Sequence, residues 1–221
     1  MKKLALVFGG SRGIGAACAA ALQGEFEVAS ASTAQGDIRN AEDVKRIFDE
    51  VEKRFGRRID CVVANAGINV PPAPLAQFDP ASFRKLVEVN IVGAFNVLAE
   101  SARRVADGGS IVAITTSLVR HAAPGLGPYS ASKAAVESMV RSMAKELAPR
   151  KVRVNAVAPG PVDTELFHAG KTDEAKARMA ALSPFNRIGQ PAEVAQVVAF
   201  LASARASWVQ GQVVQPNGGM I

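Results

Sequence analysis

Two pairs of side chains near the middle of the chain are suited to acid–base chemistry. Tyr129 and Lys133 lie four residues apart in a stretch without Pro or Gly whose residues favour a helix. Residues four apart share a helix face, so the phenol and the ammonium group would be neighbours. A nearby positive charge lowers a phenol pKa from its ordinary value of about 10 towards the range useful in general acid–base catalysis. Without further motifs, such a pair is most simply a solvated surface pair.

The second pair, Thr116 and Ser117, directly follows an apolar run at 110–115 that predicts a strand. Ligands of open α/β sheets bind at the carboxyl ends of strands, where these hydroxyls would stand. Strand alternation would put Thr116 on the face of Val112 and Ile114 if the strand continues that far. Ser117 would take its place if the strand breaks one residue early, so both hydroxyls remain candidates.

A glycine-rich loop precedes the first predicted helix. Gly9, Gly13 and Gly15 separate an apolar run at 4–8 from an Ala-rich stretch at 16–22. Strand, glycine loop and helix form the context of a phosphate-binding turn, because glycines permit close backbone approach and the helix N-terminus attracts anions. The spacing Gly-x-x-x-Gly-x-Gly differs from the commoner Gly-x-Gly-x-x-Gly and is a weak indicator alone.

The end of the second predicted strand, 26–32, indicates cofactor choice. An acidic residue there would bind the ribose 2′-hydroxyl of NAD, but Ser32 and Thr33 occupy the position. Arg12 in the glycine loop could bind a 2′-phosphate, although an ordinary loop arginine explains it equally well. The sequence therefore predicts NADP(H) in preference to NAD(H).

Helical and strand patterns alternate along the remaining chain. Helices are predicted at 41–55, from about 80 to 105, from Tyr129 onwards and from Pro191. Apolar runs predict further strands, and residues 163–184 form a candidate lid over the substrate. This alternation is typical of a single α/β domain, 1–221, with a doubly wound parallel sheet.

Composition narrows the class of protein. The chain has 221 residues and a net charge of +6, but its basic residues are scattered and it has one Tyr and one Trp. We therefore expect no nucleic-acid partner. No apolar run reaches the length of a membrane span, the five apolar residues at 4–8 are too few for a signal peptide, and no metal site is expected. Two cysteines, without a disulfide pattern, suit a reducing cytoplasm.

Five motifs in order resemble the short-chain dehydrogenase/reductase family over essentially the whole chain. They are the Gly9/Gly13/Gly15 loop, Asn65-Ala66-Gly67, Asn90, Tyr129-x-x-x-Lys133, and Pro159-Gly160 followed by Thr164. The resemblance implies a Rossmann fold, a nicotinamide cofactor and a homo-oligomer, either a dimer or a tetramer.

The resemblance also implies catalytic roles. Tyr129 would be the general acid in ketone reduction and the base in alcohol oxidation, while Lys133 would hold the ribose hydroxyls and lower the Tyr129 pKa. Asn90 would support a water in the proton relay. A hydroxyl from Thr116 or Ser117 would orient the substrate carbonyl, and an ungapped count from Tyr129 places the family's serine at Thr116.

Further residues would bind the cofactor. By resemblance, Asp37 and Ile38 would face the adenine, residues 65–67 would line the ribose, and Val162 and Thr164 would fix the carboxamide. The complete predicted set is Gly9, Ser11, Arg12, Gly13, Ile14, Gly15, Ser32, Thr33, Asp37, Ile38, Asn65, Ala66, Gly67, Tyr129, Lys133, Pro159, Gly160, Val162 and Thr164.

Three positions depart from the family pattern. Phe8 replaces the usual Thr before the glycine loop, and Thr116 replaces the usual Ser. Between Thr33 and Asp37 there is almost nothing, whereas relatives carry a helix and a strand. Because a parallel crossover needs about a dozen residues, we expect about six strands, with the usual third strand and its preceding helix reduced or lost.

The predicted function is an NADP-dependent oxidoreductase acting on a carbonyl or secondary alcohol, with ketone reduction as the physiological direction. The alternative is a regulatory or interaction protein that keeps the dinucleotide fold without chemistry. The Tyr129, Lys133 and Asn90 set favours the enzyme. A nucleic-acid-binding role is a distant third possibility.

Overall fold

A computed structural model describes residues 2–221, which fold around one six-stranded parallel sheet. The strands are β1 Lys3–Phe8, β2 Phe26–Ala31, β3 Cys61–Ala64, β4 Ser110–Ile114, β5 Arg153–Val157 and β6 Val213–Val214. Their order across the sheet is β2-β1-β3-β4-β5-β6, and every neighbouring pair is parallel. The predicted doubly wound α/β class is confirmed.

Helices cover both faces of this sheet. They are α1 Gly13–Leu22, α2 Ala41–Phe55, α3 Pro80–Leu86, α4 Ala94–Arg104, α5 Leu118–His121, α6 Gly127–Glu146, α7 Glu165–His168, α8 Asp173–Ala180 and α9 Pro191–Ala202. Helices α1 and α9 pack on one face, and α2, α4 and α6 pack on the other. In β1, Leu4 and Leu6 face the second group whereas Ala5 and Val7 face the first. Burial on both faces explains the continuous apolar run in the sequence.

The connection after β2 is short and contains neither helix nor strand. It occupies residues 32–40 and leads directly into α2, whose first turn is capped by the Asn40 side chain. The Nδ2 of Asn96 in α4 donates to the carbonyl oxygens of Ile38 (2.9 Å) and Arg39 (3.1 Å) and so anchors the connection. Strand β2 is therefore at the edge of the sheet. The predicted loss of the usual third strand and its helix is confirmed.

The long helix predicted from about 80 to 105 has three parts. Between α3 and α4 the backbone forms a π-helix at Val87–Gly93, which contains the buried Asn90. A π-helical segment widens the helix locally and is frequently found at functional sites. Helical periodicity in the sequence does not distinguish this segment from the flanking α-helix.

No helix within residues 2–221 combines the length and the apolar character needed to cross a membrane.

Candidate active site

The predicted catalytic side chains converge at the carboxyl end of β4. Helix α6 runs beneath this edge, and its Lys133 is 6% exposed. The Lys133 Nζ donates to the backbone oxygen of Ile114, the last residue of β4, at 3.0 Å. Burial disfavours the ammonium form and lowers the pKa of Lys133 to about 8. This lysine is therefore fixed in position and titrates close to physiological pH.

Tyr129 lies one turn before Lys133 on α6, and the Thr116 side chain is a polar neighbour of its phenol. Burial raises the pKa of Tyr129 to about 12, while the neighbouring Thr116 hydroxyl offsets part of that rise. The sequence predicted a pKa lowered by Lys133. In the protein alone the pKa shifts in the opposite direction, because desolvation of the phenolate outweighs the effect of Thr116. The phenol is consequently protonated at neutral pH.

The two candidate hydroxyls have different surroundings. Ser117 Oγ donates to the Ala158 oxygen at 2.7 Å and accepts from Asn217 Nδ2 at 3.3 Å. Thr116 Oγ1 accepts a long hydrogen bond of 3.3 Å from the Leu118 amide and contacts Tyr129. Strand β4 ends at Ile114, so strand alternation does not extend to either residue. The fold thus turns Ser117 towards the protein body and Thr116 towards the phenol.

Asn90 joins the π-helix to the loop after β3. Its side chain accepts from the Ile68 amide and donates to the Ile68 oxygen, both at 2.9 Å, and also donates to Ser132 Oγ at 3.1 Å. A Cβ atom on Gly67 would lie 3.1 Å from both Asn90 Oδ1 and Lys133 Nζ. A glycine here lets the loop pass between the two side chains.

A cleft of about 660 Å³ lies beside this cluster. It brings together residues 9 and 11–14 of the predicted glycine loop, Ser32 and Thr33, Asp37 and Ile38, residues 65–67, and Thr164. The other predicted site residues do not line it: Gly15, Asn90, Thr116, Ser117, Tyr129, Lys133, Pro159, Gly160 and Val162. Segments that are far apart in the chain therefore line one cavity along the carboxyl edge of the sheet, where parallel α/β folds bind ligands.

The glycine loop is shaped for close approach. A Cβ on Gly15 would lie only 2.0 Å from the Gly9 oxygen, and a Cβ on Gly9, whose φ is +72°, would lie 2.8 Å from Asn65 Nδ2. That Nδ2 donates to the Gly9 oxygen at 3.0 Å. The N-terminus of α1 has no side-chain cap, so its first N–H groups are free to bind an anion. The loop and the cleft together fit a dinucleotide.

The Pro159–Thr164 segment is held against this edge. The oxygen of Pro159 accepts from the Ser117 amide at 2.9 Å, and the Gly160 amide donates to Pro216 at 3.2 Å. Val162 is buried, and its oxygen accepts from Thr164 Oγ1 at 3.3 Å. The segment therefore presents Thr164 at the cleft while Val162 lies in the interior.

Comparison with known proteins agrees with this geometry. A family profile described as "Enoyl-(Acyl carrier protein) reductase" matches residues 15–221. A "Short-chain type dehydrogenase/reductase" from Picea abies is 42% identical over 190 residues, which are 85% of this chain and 70% of that protein. The chain belongs to the short-chain dehydrogenase/reductase family.

Two further members of the family are informative. The "NADPH-dependent aldehyde reductase-like protein, chloroplastic" of Arabidopsis thaliana is 41% identical, again over 85% of this chain and 70% of its own length. A short-chain dehydrogenase from Burkholderia cenocepacia J2315, solved in complex with NADP, superposes with a TM-score of 0.88. It is 28% identical and covers 99% of this chain and 97% of its own.

The end of the cleft lined by Phe8, Arg12, Ser32, Asp37 and Arg39 differs from the family pattern. It is called the adenosine end here, because the family resemblance implies that the adenosine would bind there. Phe8 is 1% exposed and packs against the Phe48 ring, with 5.8 Å between centroids, so it serves the core. The short connection places Arg39 in the lining of the cleft. Its Nε donates to both carboxylate oxygens of Asp37, at 3.0 Å to Oδ1 and 2.8 Å to Oδ2. This contact lowers the pKa of Asp37. Asp37 therefore lines the cleft as an ion pair.

Sequence reasoning did not include Arg39 or Lys85, which both line the cleft. The position of Arg39 directly after the Asp37-Ile38 motif was a signal that could have found it. Lys85 carries no such signal, because only the packing of α3 brings it to the cavity.

Arg12 also has a partner that the sequence did not reveal. Its Nη1 lies 2.9 Å from Glu165 Oε2 in α7, and the two side chains are 75% and 76% exposed. Ser32 Oγ instead donates to Gln35 Oε1 at 2.9 Å within the short turn, and Thr33 is exposed. Neither hydroxyl residue brings a negative charge to this end of the cleft.

Proposed function

We propose that this protein is an NADP(H)-dependent oxidoreductase that reduces a ketone or aldehyde, with cofactor binding and catalysis in one domain, 1–221. The observation that carries this proposal is that the Thr116 hydroxyl neighbours the phenol of Tyr129, which lies one helical turn from the buried Lys133. A proton donor and an orienting hydroxyl thus stand together beside a cleft that fits a dinucleotide.

The nicotinamide cofactor, when bound, supplies the hydride, and the chain's residues supply position and protons. Tyr129 donates its proton to the substrate oxygen, and Thr116 holds that oxygen through its hydroxyl. Lys133 contributes a buried positive charge beside the ribose-binding loop at Gly67. Asn90 keeps that loop and α6 in register through its bonds to Ile68 and Ser132.

The protonated form of Tyr129 is the form that carbonyl reduction requires. Its pKa of about 12 keeps the phenol protonated at neutral pH, which is the form that donates a proton to a carbonyl. Oxidation of an alcohol requires the phenolate, which burial disfavours.

Cofactor preference is supported by the adenosine end of the cleft. Ser32 and Thr33 offer no carboxylate to repel a 2′-phosphate, and Arg12 can form a charge-assisted hydrogen bond to it. Among the relatives, one is named as NADPH-dependent and another was solved with NADP. We expect NADPH to bind at least about tenfold more tightly than NADH, or about 1.4 kcal/mol. Equal or tighter binding of NADH in a fluorescence titration would reject this preference.

A turnover screen tests the activity. Purified protein is assayed with NADPH and with NADH against aliphatic and aromatic aldehydes, ketones, a 3-oxoacyl thioester and an enoyl thioester. We expect turnover of a carbonyl with NADPH, because the neighbouring Tyr129 and Thr116 hydroxyls can both bind one substrate oxygen. The Tyr129→Phe variant measures the background. Cofactor binding without turnover of any compound would favour the non-catalytic alternative.

We further propose a homo-oligomer in a cytoplasmic setting. Phe95 on α4, Phe200 on α9 and the 98% exposed Trp208 are apolar side chains that association would cover. The free, buried Cys18 and Cys61 suit a reducing compartment. Light scattering coupled to gel filtration should give a dimer or tetramer mass, and a monomer would contradict the oligomer.

A further inference from the structure

One ion pair spans the mouth of the cofactor cleft. Arg12 belongs to the glycine loop and Glu165 to the first turn of α7, so 153 positions separate them in the chain. Both residues line the cleft together with Ser32 and Thr33. The guanidinium that the proposed function assigns to the 2′-phosphate is thus already paired with a carboxylate of the protein, at 2.9 Å.

The backbone of Glu165 is well fixed although its side chain is exposed. Thr164 caps α7 by accepting from the Phe167 amide at 3.1 Å, and the Asp163 amide donates to the Gly189 oxygen at 2.9 Å. These bonds hold the first turn of α7 at the cleft. The Glu165 carboxylate consequently remains within reach of Arg12.

The Glu165 carboxylate and the cofactor's 2′-phosphate differ in how strongly they bind Arg12. An exposed carboxylate–guanidinium pair contributes little, since both groups are well hydrated. A phosphate monoester carries a charge of about −1.5 to −2 at neutral pH and binds arginine through parallel hydrogen bonds. The phosphate therefore displaces the carboxylate, at the cost of the lost ion pair.

We propose that Glu165 competes with the cofactor's 2′-phosphate for Arg12 and so determines specificity by weakening NADP(H) binding selectively. This inference rests on the proposed NADP(H) preference. Because NAD(H) has no 2′-phosphate, it leaves the ion pair intact and gains nothing from its removal. Glu165 thereby reduces the difference in affinity between NADP(H) and NAD(H) that Arg12 provides.

The chain offers a matched control for Glu165. Asp173 is the first residue of α8 and follows the N-cap Thr172, just as Glu165 follows Thr164 at α7. Asp173 is also exposed and paired with a cation, the Nζ of Lys176 at 2.9 Å, but it does not line the cleft. Asp173→Asn thus removes an equivalent charge from the same segment without touching Arg12.

The test measures dissociation constants by titration for NADPH, NADH, adenosine 2′,5′-bisphosphate and adenosine 5′-monophosphate. We expect Glu165→Gln to tighten NADPH and the bisphosphate by about two- to fivefold, the range of an exposed ion pair, and to leave NADH and the monophosphate unchanged. Asp173→Asn should change none of them. In an Arg12→Gln background, Glu165→Gln should lose its effect, because the shared partner is gone.

The titrations distinguish a failure of the Glu165 competition from a failure of the proposed NADP(H) preference. If Arg12→Gln weakens NADPH selectively but Glu165→Gln behaves like Asp173→Asn, the competition is refuted and the cofactor preference stands. If Glu165→Gln tightens NADPH equally in the presence and absence of Arg12, Glu165 acts by direct repulsion and the competition is again refuted. If Arg12→Gln leaves the NADPH-to-NADH ratio unchanged, the role of Arg12 in the proposed function fails, and with it the inference.

Discussion

The cluster of predicted catalytic residues beside the cleft, called here the catalytic end, and the adenosine end of the cleft are built in opposite ways. At the catalytic end, Lys133, Asn90 and Ser117 are at most 6% exposed, and each makes at least one hydrogen bond to backbone. At the adenosine end, Arg12 and Glu165 are three quarters exposed and satisfy each other. Both ends carry charged side chains, but only at the buried end do hydrogen bonds to backbone fix the side chains in one arrangement.

This difference has a physical basis. Burial removes water from an ionisable group, so it shifts the pKa, as it does for Tyr129 and Lys133, and it makes every missing hydrogen bond costly. Exposure leaves the Arg12 pair weak and open to exchange with a ligand. The catalytic end is thus held in one geometry, whereas the ion pair at the adenosine end can exchange its partners.

The largest effect should come from the buried end. Tyr129→Phe removes only the ionisable hydroxyl, so we expect turnover to fall by at least about 10²-fold, the usual contribution of a general acid. Fold and cofactor affinity should be nearly unchanged, as measured by circular dichroism and titration. More than about a tenth of wild-type activity would remove Tyr129 from the role of proton donor.

The second prediction distinguishes the roles of the Thr116 and Ser117 hydroxyls. Thr116→Val keeps the side-chain shape and should lower kcat/KM by about 10²-fold, comparable to the loss of one oxyanion donor. Ser117→Ala should lower kcat/KM less than about tenfold, because Ser117 bonds to Ala158 and Asn217 rather than to Tyr129. Its main cost should be thermal stability. The reverse ranking in kcat/KM would transfer the substrate contact to Ser117.

The third prediction concerns pH. Burial lowers the pKa of Lys133 to about 8, and the charged form decreases as pH rises through that value. If the reduction requires the charge, kcat/KM should be flat from about pH 6 to about pH 7.5 and then fall about tenfold per pH unit above about pH 8. Tyr129, with a pKa of about 12, remains protonated throughout this range. A flat profile up to about pH 9.5 would mean that the charge of Lys133 is not needed.

The smallest effect is expected at the adenosine end. Asn40 accepts from the Glu42 amide at 2.9 Å and caps α2, so Asn40→Ala should cost about 1 kcal/mol and lower Tm by about 2–4 °C. The kcat should not change, because the cap contacts no buried catalytic group. Differential scanning calorimetry and saturating assays measure the two quantities. A fall in kcat comparable to that of Thr116→Val would show that the two ends are coupled.

The sequence by itself determined which segments form strands and helices and which chemical groups the site contains. Continuous apolar runs such as 4–8 specify parallel strands, because these are buried on both faces. The Tyr129 and Lys133 spacing specifies a shared helix face, and the short Thr33–Asp37 connection leaves no room for a crossover. Each of these is a local property that can be read from spacing alone.

Tertiary structure decided the properties that depend on distant neighbours. The direction of the Tyr129 pKa shift follows from burial, which depends on residues distant in the sequence. The hydrogen bonds of Ser117 to Ala158 and Asn217 likewise depend on distant segments of the chain. The partner of Arg12 lies 153 residues away. Desolvation and long-range pairing depend on the packed interior and on chain topology, so residue types at fixed spacing cannot specify them.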